Sequence, residues 1–142
     1  MATTETTDAV TTFCAATQAN DVDRMMSALA PDAELVSPLS GRMIFRGQDD
    51  LRVLLAAVYR GLSGLTWREV IGEGSTRVAV SDARIGGVSI TDAMVLELDT
   101  AGRITRIRPH LRPWLAITVF ALLLGPKIAR HPGVLRRALS RA

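Results

Sequence analysis

The feature that most limits what this chain can fold into is a change of period. From residue 65 onward apolar side chains recur at every second position, in runs 65–72, 76–85, 88–98 and 103–112. Alternation of that kind marks half-buried strands. Gly72-Glu73-Gly74, Gly86-Gly87 and Thr100-Ala101-Gly102 break the runs where turns between neighbouring strands would fall. Long antiparallel strands twist and coil, and their concave face encloses a cavity once helices cover it.

The first half of the chain supplies the helices. Val10, Phe13, Cys14 and Thr17 fall on one helical face. Asn20-Asp21 breaks that run, and Val22, Met25, Met26 and Leu29 repeat the spacing in a short second helix that Pro31 is expected to stop. Short strands are expected at 33–37 and 42–46, around a Pro38-Leu39-Ser40-Gly41 turn. A third helix starts at Gly47-Gln48-Asp49-Asp50, carries Leu51, Leu54, Leu55, Val58 and Tyr59 as its apolar stripe, and stops at Gly61. The expected class is α+β: a curved, antiparallel or mixed sheet packed by three helices from the N-terminal half.

At 142 residues the chain is one domain by length, but its charge is unevenly spread. Residues 1–100 hold all fourteen acids against eight arginines, a net of −6, whereas residues 101–142 hold eight arginines and Lys127 with no acid, a net of +9. Residues 114–124 form an apolar run of about a dozen, short of the roughly 20 needed to cross a bilayer. Gly125-Pro126 is expected to interrupt it. Pro132 then starts a last helix with Val134, Leu135, Ala138 and Leu139 on one side and Arg136, Arg137 and Arg141 on the other. Such a basic amphipathic helix lies on an anionic membrane, packs over the domain's own open mouth, or pairs with a second subunit. The chain thus divides into a flexible N-terminus (1–7), a domain (8–113) and a helical extension (114–142). Nucleic acid is disfavoured as a partner, because the tail lacks interleaved aromatics apart from Trp114 and has no reading-helix motif.

Cys14 is the only cysteine, so no internal disulfide forms, and its place on a packing face predicts an inert thiol. The first residues have neither a basic start nor an apolar core, so no secretory signal is expected and a cytoplasmic setting is, with peripheral membrane contact as the variation on it.

Three stretches carry a family resemblance. They are Asn20-Asp21-Val22-Asp23 with the Leu-Ala-Pro-Asp-Ala-Glu-Leu run at 29–35, Phe45-Arg46-Gly47-Gln48-Asp49-Asp50-Leu51, and Leu98-Asp99-Thr100-Ala101-Gly102-Arg103-Ile104. With the element order, they resemble the nuclear-transport-factor-2-like cone fold over roughly residues 8–113. Within it the chain is most similar to the SnoaL-like group, which includes polyketide cyclases, ketosteroid isomerases and limonene epoxide hydrolases. The resemblance implies a cone-shaped pocket for a small hydrophobic molecule, acid–base chemistry of isomerase, cyclase or hydrolase type on a carbonyl-bearing or polycyclic substrate, and a homodimer. No cofactor is expected, because the residues at 72–76 lack the third glycine of a dinucleotide loop and no phosphate-loop lysine pattern is present.

It also implies that the group's usual catalytic positions are substituted. The oxyanion-binding tyrosine of the isomerases falls on Phe13, their general-base aspartate on Ser37 before Pro38, and their second acid near Met94, two residues from Asp92. The hydrolases' Arg-x-Asp pair meets Asp82-Ala83-Arg84 in inverted order, and their last-strand acid meets Arg112.

Period-two geometry places Asp82 with Arg84 on one strand face and Arg108, His110 and Arg112 on another. If both faces line the cone, His110 is the first candidate for an acid or base, since its ordinary pKa lies near neutrality. Asp82 is the second and Asp92 the third. Arg84 and Arg112 are then positioned to clamp an anionic oxygen, with Phe13, Ser37, Met94 and Trp114 as further ligand contacts. No metal is expected, because His110 and His131 are far apart and lack a cysteine pair. The alternative function is a non-catalytic dimeric interaction module whose tail docks a partner or an anionic membrane surface.

Overall fold

In the computed structural model, which describes residues 8–140, a curved, unclosed sheet of seven strands is packed by five helices. The N-terminal segment 1–7, expected to be flexible, and Arg141 lie outside the described residues. In chain order the elements are α1 (Ala9–Ala19), α2 (Val22–Ser27), β1 (Leu29–Val36), β2 (Ile44–Arg46), α3 (Gln48–Gly61), β3 (Leu62–Ile71), β4 (Thr76–Ile85), β5 (Val88–Leu98), β6 (Ile104–Arg108), β7 (Leu111–Arg112), α4 (Trp114–Ala129) and α5 (Pro132–Leu139). The strand order is β2-β1-β6-β5-β4-β3, with β7 also on β5. Only β1 and β6 run parallel, so the sheet is mixed.

The local chemistry explains most boundaries. Asn20 takes the left-handed conformation that ends α1, and Asp21 caps α2 by accepting from the Arg24 amide. α2 stops at Ser27, earlier than expected. Leu29 begins β1, and Pro31 sits in the irregularity between Leu29 and Glu34 where the β1–β6 pairing shifts. A proline's missing N–H is tolerated at such a break. Gly61 closes α3, and Leu62 pairs with Ile85 at once, so β3 starts three residues before the expected 65.

The single strand expected at 103–112 is divided by Pro109, which cannot donate to the ladder, yet the register with β5 holds across the gap. Val95 opposes Arg108 before the break, Asp92 opposes Leu111 after it, and His110 exchanges both backbone hydrogen bonds with Ala93 between them.

The C-terminal helices are part of the body. α4 continues through Gly125-Pro126 where a break was expected, because the carbonyl that Pro126 leaves free, that of Leu122, belongs to a strongly exposed turn open to water. Ile128 of α4 and Val134 and Ala138 of α5 join the same core cluster as Phe13, Leu51 and Leu96. Arg137 of α5 grips the buried Asp50 in the first turn of α3 with a bidentate pair, Nε to Oδ2 at 2.9 Å and Nη2 to Oδ1 at 2.8 Å.

Candidate functional site

The concave face of the sheet, α3 and α4 enclose a cavity of about 230 Å³ with almost wholly apolar walls. An apolar cavity of roughly 150 Å³ holds benzene, so there is room here for a larger organic molecule. Alternation along the strands decides what reaches it. On β4 the inward residues are Ala79, Ser81, Ala83 and Ile85; on β5 they are Ile90, Asp92, Met94 and Leu96. Leu111 of β7 continues that face, opposite Asp92.

Two polar side chains stand out in this setting. Asp92, in the middle of β5, is half-buried by accessible surface, but the space it faces is the cavity. Burial pushes its carboxyl up to about 7, against the smaller opposing pull of the His110 backbone N–H, which donates to Oδ1 at 3.1 Å. Tyr59, the chain's single tyrosine, comes down from α3. Its hydroxyl is held well above the usual range, first by burial, then by the charge of Asp92, then by Cys14. No described residue hydrogen-bonds that hydroxyl, so it meets the cavity as a free donor. Ser81, buried directly across the ladder from Asp92, and Ser37 add two hydroxyls. The Ser37 hydroxyl accepts from the Leu39 amide at 3.1 Å and shapes the loop at the cavity's edge.

Chemically, the arrangement offers one carboxyl that exchanges its proton near neutrality and one phenol that stays protonated. That is a proton carrier and a hydrogen-bond donor in an otherwise largely apolar cavity.

The sequence-based candidates divide sharply. Asp92, Ser37 and Met94 line the cavity. Asp82, Arg84, His110 and Arg112 do not, and the expectation that their faces look inward is corrected. Each pair does share a face, but it is the outer one. Asp82 is held by Arg68 at 2.8 Å and Thr91 at 2.9 Å, and these hydrogen bonds keep its carboxyl below the usual range. Arg84 is exposed and donates to the Gly87 carbonyl. The exposed His110 ring places Nδ1 3.2 Å from the Ala93 carbonyl, and Arg112 is exposed opposite Thr91. The cause is desolvation: guanidinium and carboxylate groups stay in water while the alternate residues, Ala83, Ile107 and Leu111, turn in.

Phe13 and Trp114 are also displaced from their expected roles. Phe13 is fully buried in the helical layer, edge-on to the Tyr59 ring with centroids 6.3 Å apart, so it supports the cavity's tyrosine without lining the cavity. Trp114 is 75% exposed at the start of α4. Cys14 is buried and its thiol pushed up to about 12, first by burial and then by Asp8, which fits an inert packing role. Sequence reasoning missed Tyr59 by reading it only as part of the α3 stripe; the signal available was a polar tip on a helix facing a concave sheet.

Comparison with known proteins agrees with this architecture. The family model described as "SnoaL-like domain" matches residues 10–107. No curated protein matches the chain significantly. Among solved structures, it is similar to an uncharacterised protein with a cystatin-like fold from Silicibacter pomeroyi (TM-score 0.84, 18% identity, 92% of this chain and 93% of the other). It is also similar to a steroid delta-isomerase from Pseudomonas aeruginosa (TM-score 0.79, 18% identity, 88% and 92%). A third likeness is to an NTF-2-like protein of unknown function from Burkholderia xenovorans (TM-score 0.66, 20% identity, 72% and 79%). At these identities the likeness is one of fold.

Proposed function

The chain belongs to the SnoaL-like domain family, and from that premise we propose that it binds a small hydrophobic molecule bearing a carbonyl oxygen and moves a proton on it. The observation that carries the reading is the pairing of Asp92 and Tyr59 as ionisable groups in an otherwise greasy cavity. Tyr59 donates to the carbonyl oxygen. Asp92 in its charged form takes the proton from the adjacent carbon, the electron pair moves onto that oxygen to give an enolate, and the Tyr59 hydroxyl stabilises it. Asp92, now neutral, returns the proton at a second carbon. One carboxyl suffices because its raised pKa makes both forms available near neutrality. This assigns isomerase-type chemistry to a different pair of positions from Phe13 and Ser37, which cannot perform it.

A homodimer is part of the proposal. The outer face carries half-buried Val36, Val80 and Val95, with Val95 directly opposite Arg108, beside the Glu34–Arg106 and Glu97–Arg108 ion pairs. Nε of Arg108 is buried without a hydrogen-bond acceptor among the described residues, a deficit that a partner surface would relieve.

The test is a thermal-shift screen against steroids, polyketides and fatty acids. Ligand at 100 times its Kd adds roughly 2.7 kcal/mol to stability. The Tyr59→Phe and Asp92→Asn chains should lose at least about tenfold in affinity for any carbonyl-bearing hit, consistent with one hydrogen bond of roughly 1–2 kcal/mol. Incubation of a hit in D2O should place deuterium next to its carbonyl with wild type and not with Asp92→Asn. Hits that bind both variants as tightly as wild type would remove the reading.

A further inference from the structure

α4 is apolar on two opposite sides. One side faces the cavity with Phe120, Leu124 and Ile128. The other is open: Trp114 is 75%, Leu115 49% and Leu122 70% exposed. With Leu123 at 46%, four large apolar side chains are exposed on one helix and form a patch, and such patches mark surfaces that are covered in use. Gly125 joins the two sides, since it lies one turn beyond Leu122, is exposed, and also lines the cavity. Across the opening, Leu39 does the same at 47% exposure. The apolar patch therefore runs to the mouth of the cavity.

Charge selects what covers it. Residues 101–142 contain no acid. Along the chain Arg112 precedes the patch, and Arg130 and Arg136 follow it, all exposed, while Lys127 lies beside Gly61 at the end of α3. Arg137, by contrast, is occupied by Asp50. A second copy of the chain placed face to face would bring two such cationic segments together, which is unfavourable. An anionic bilayer accepts both parts at once, apolar side chains at the acyl boundary with tryptophan at headgroup level, and cations against the lipid phosphates. No helix among the described residues is long and apolar enough to cross a membrane, so α4 would lie on it.

We propose that the exposed face of α4 docks on an anionic lipid bilayer and sets the mouth of the cavity against it, so that a hydrophobic ligand passes between membrane and cavity without crossing water. The docking does not depend on what the cavity holds.

The experiment uses the ligand-free full chain with vesicles of phosphatidylglycerol and phosphatidylcholine, and with phosphatidylcholine alone. The wild type should sediment with the anionic vesicles at low salt, and binding should fall at least about tenfold in 0.5 M NaCl, where surface charges are screened within ~4 Å. In the Trp67→Phe chain Trp114 is the sole tryptophan; its emission should move to the blue on anionic vesicles and be quenched by brominated lipid. Trp114→Ser with Leu122→Gln, and separately Arg130→Glu with Arg136→Glu, should each weaken binding about tenfold or more while leaving the melting temperature in place, since these side chains are exposed. No sedimentation at low salt, or sedimentation that both double variants retain, would overturn the proposal. So would a concentration-dependent dimer that Trp114→Ser with Leu122→Gln abolishes, which would assign the patch to a second copy. Any of these failures leaves the cavity reading standing, because a thermal-shift response to soluble ligand is measured without lipid.

Discussion

Asp82 and Asp92 stand on adjacent strands of one sheet, and the sheet pushes them in opposite directions. Asp82 looks outward, where Arg68 and Thr91 hold its carboxylate charged. Asp92 looks inward, where burial lifts its carboxyl to about 7. The residue type is the same, and the side of the pleat makes the difference. A structural ion pair and a candidate proton carrier are thus separated by one layer of backbone, which is why the parity of a strand position matters more here than its chemistry.

The contrast between the two faces can be broken in several places. The largest effect should come from neighbouring residues of β5. Leu96→Ala, at a fully buried inward position, should cost roughly 2–5 kcal/mol. Val95→Ala, on the outward side, should cost about 1 kcal/mol or less in the monomer, as read by urea denaturation. Comparable costs would mean that the outer face is also packed.

Next come the aspartates. The folded pKa of Asp92 is raised, so its contribution to stability is full below about pH 4 and is lost as pH rises through about 7. Asp92→Asn should therefore be more stable than wild type at pH 8, by up to about 4 kcal/mol, with the gain vanishing below pH 4. Asp82→Asn has the opposite sign, since a depressed pKa contributes stability above the ordinary carboxylate range that is lost in acid. Matching pH profiles for the two variants would show that the faces do not differ electrostatically. The smallest effect belongs to His110→Ala, within about 0.5 kcal/mol, because the ring is exposed and the contact with Asp92 is made by the backbone.

Much of the fold could be read from the alternation and the turns. The ranges 76–85 and 88–98 match β4 and β5, and the stripe from Leu51 to Tyr59 is the buried face of α3. The site was harder to read, for a reason visible in those strands. Alternation tells which residues share a face, and it correctly grouped Asp82 with Arg84 and His110 with Arg112. It does not say which face is inside. Hydrophobicity does, and the interleaved Ala83, Ile85, Ile107 and Leu111 point inward. Placing the polar set in the pocket set chemistry against burial, and burial prevailed. Asp92 is the exception that an apolar face tolerates, with Ile90 and Met94 on either side, so a carboxyl within an apolar period was the sharper clue. Helix α4 was misjudged for a different reason: Gly125-Pro126 is a reliable break only where the carbonyl left unpaired has no access to water.

The clasp between Arg137 and Asp50 changes what it means to shorten this chain. The last helix is fastened to the element that carries Tyr59, and between them the final thirty or so residues supply an entire side of the hollow. A version ending before Trp114 would keep every strand and lose a wall. It would present Leu54, Leu55 and Met94 to water and report on a different object, so the question of what the C-terminal helices touch has to be asked by changing single side chains and never by cutting.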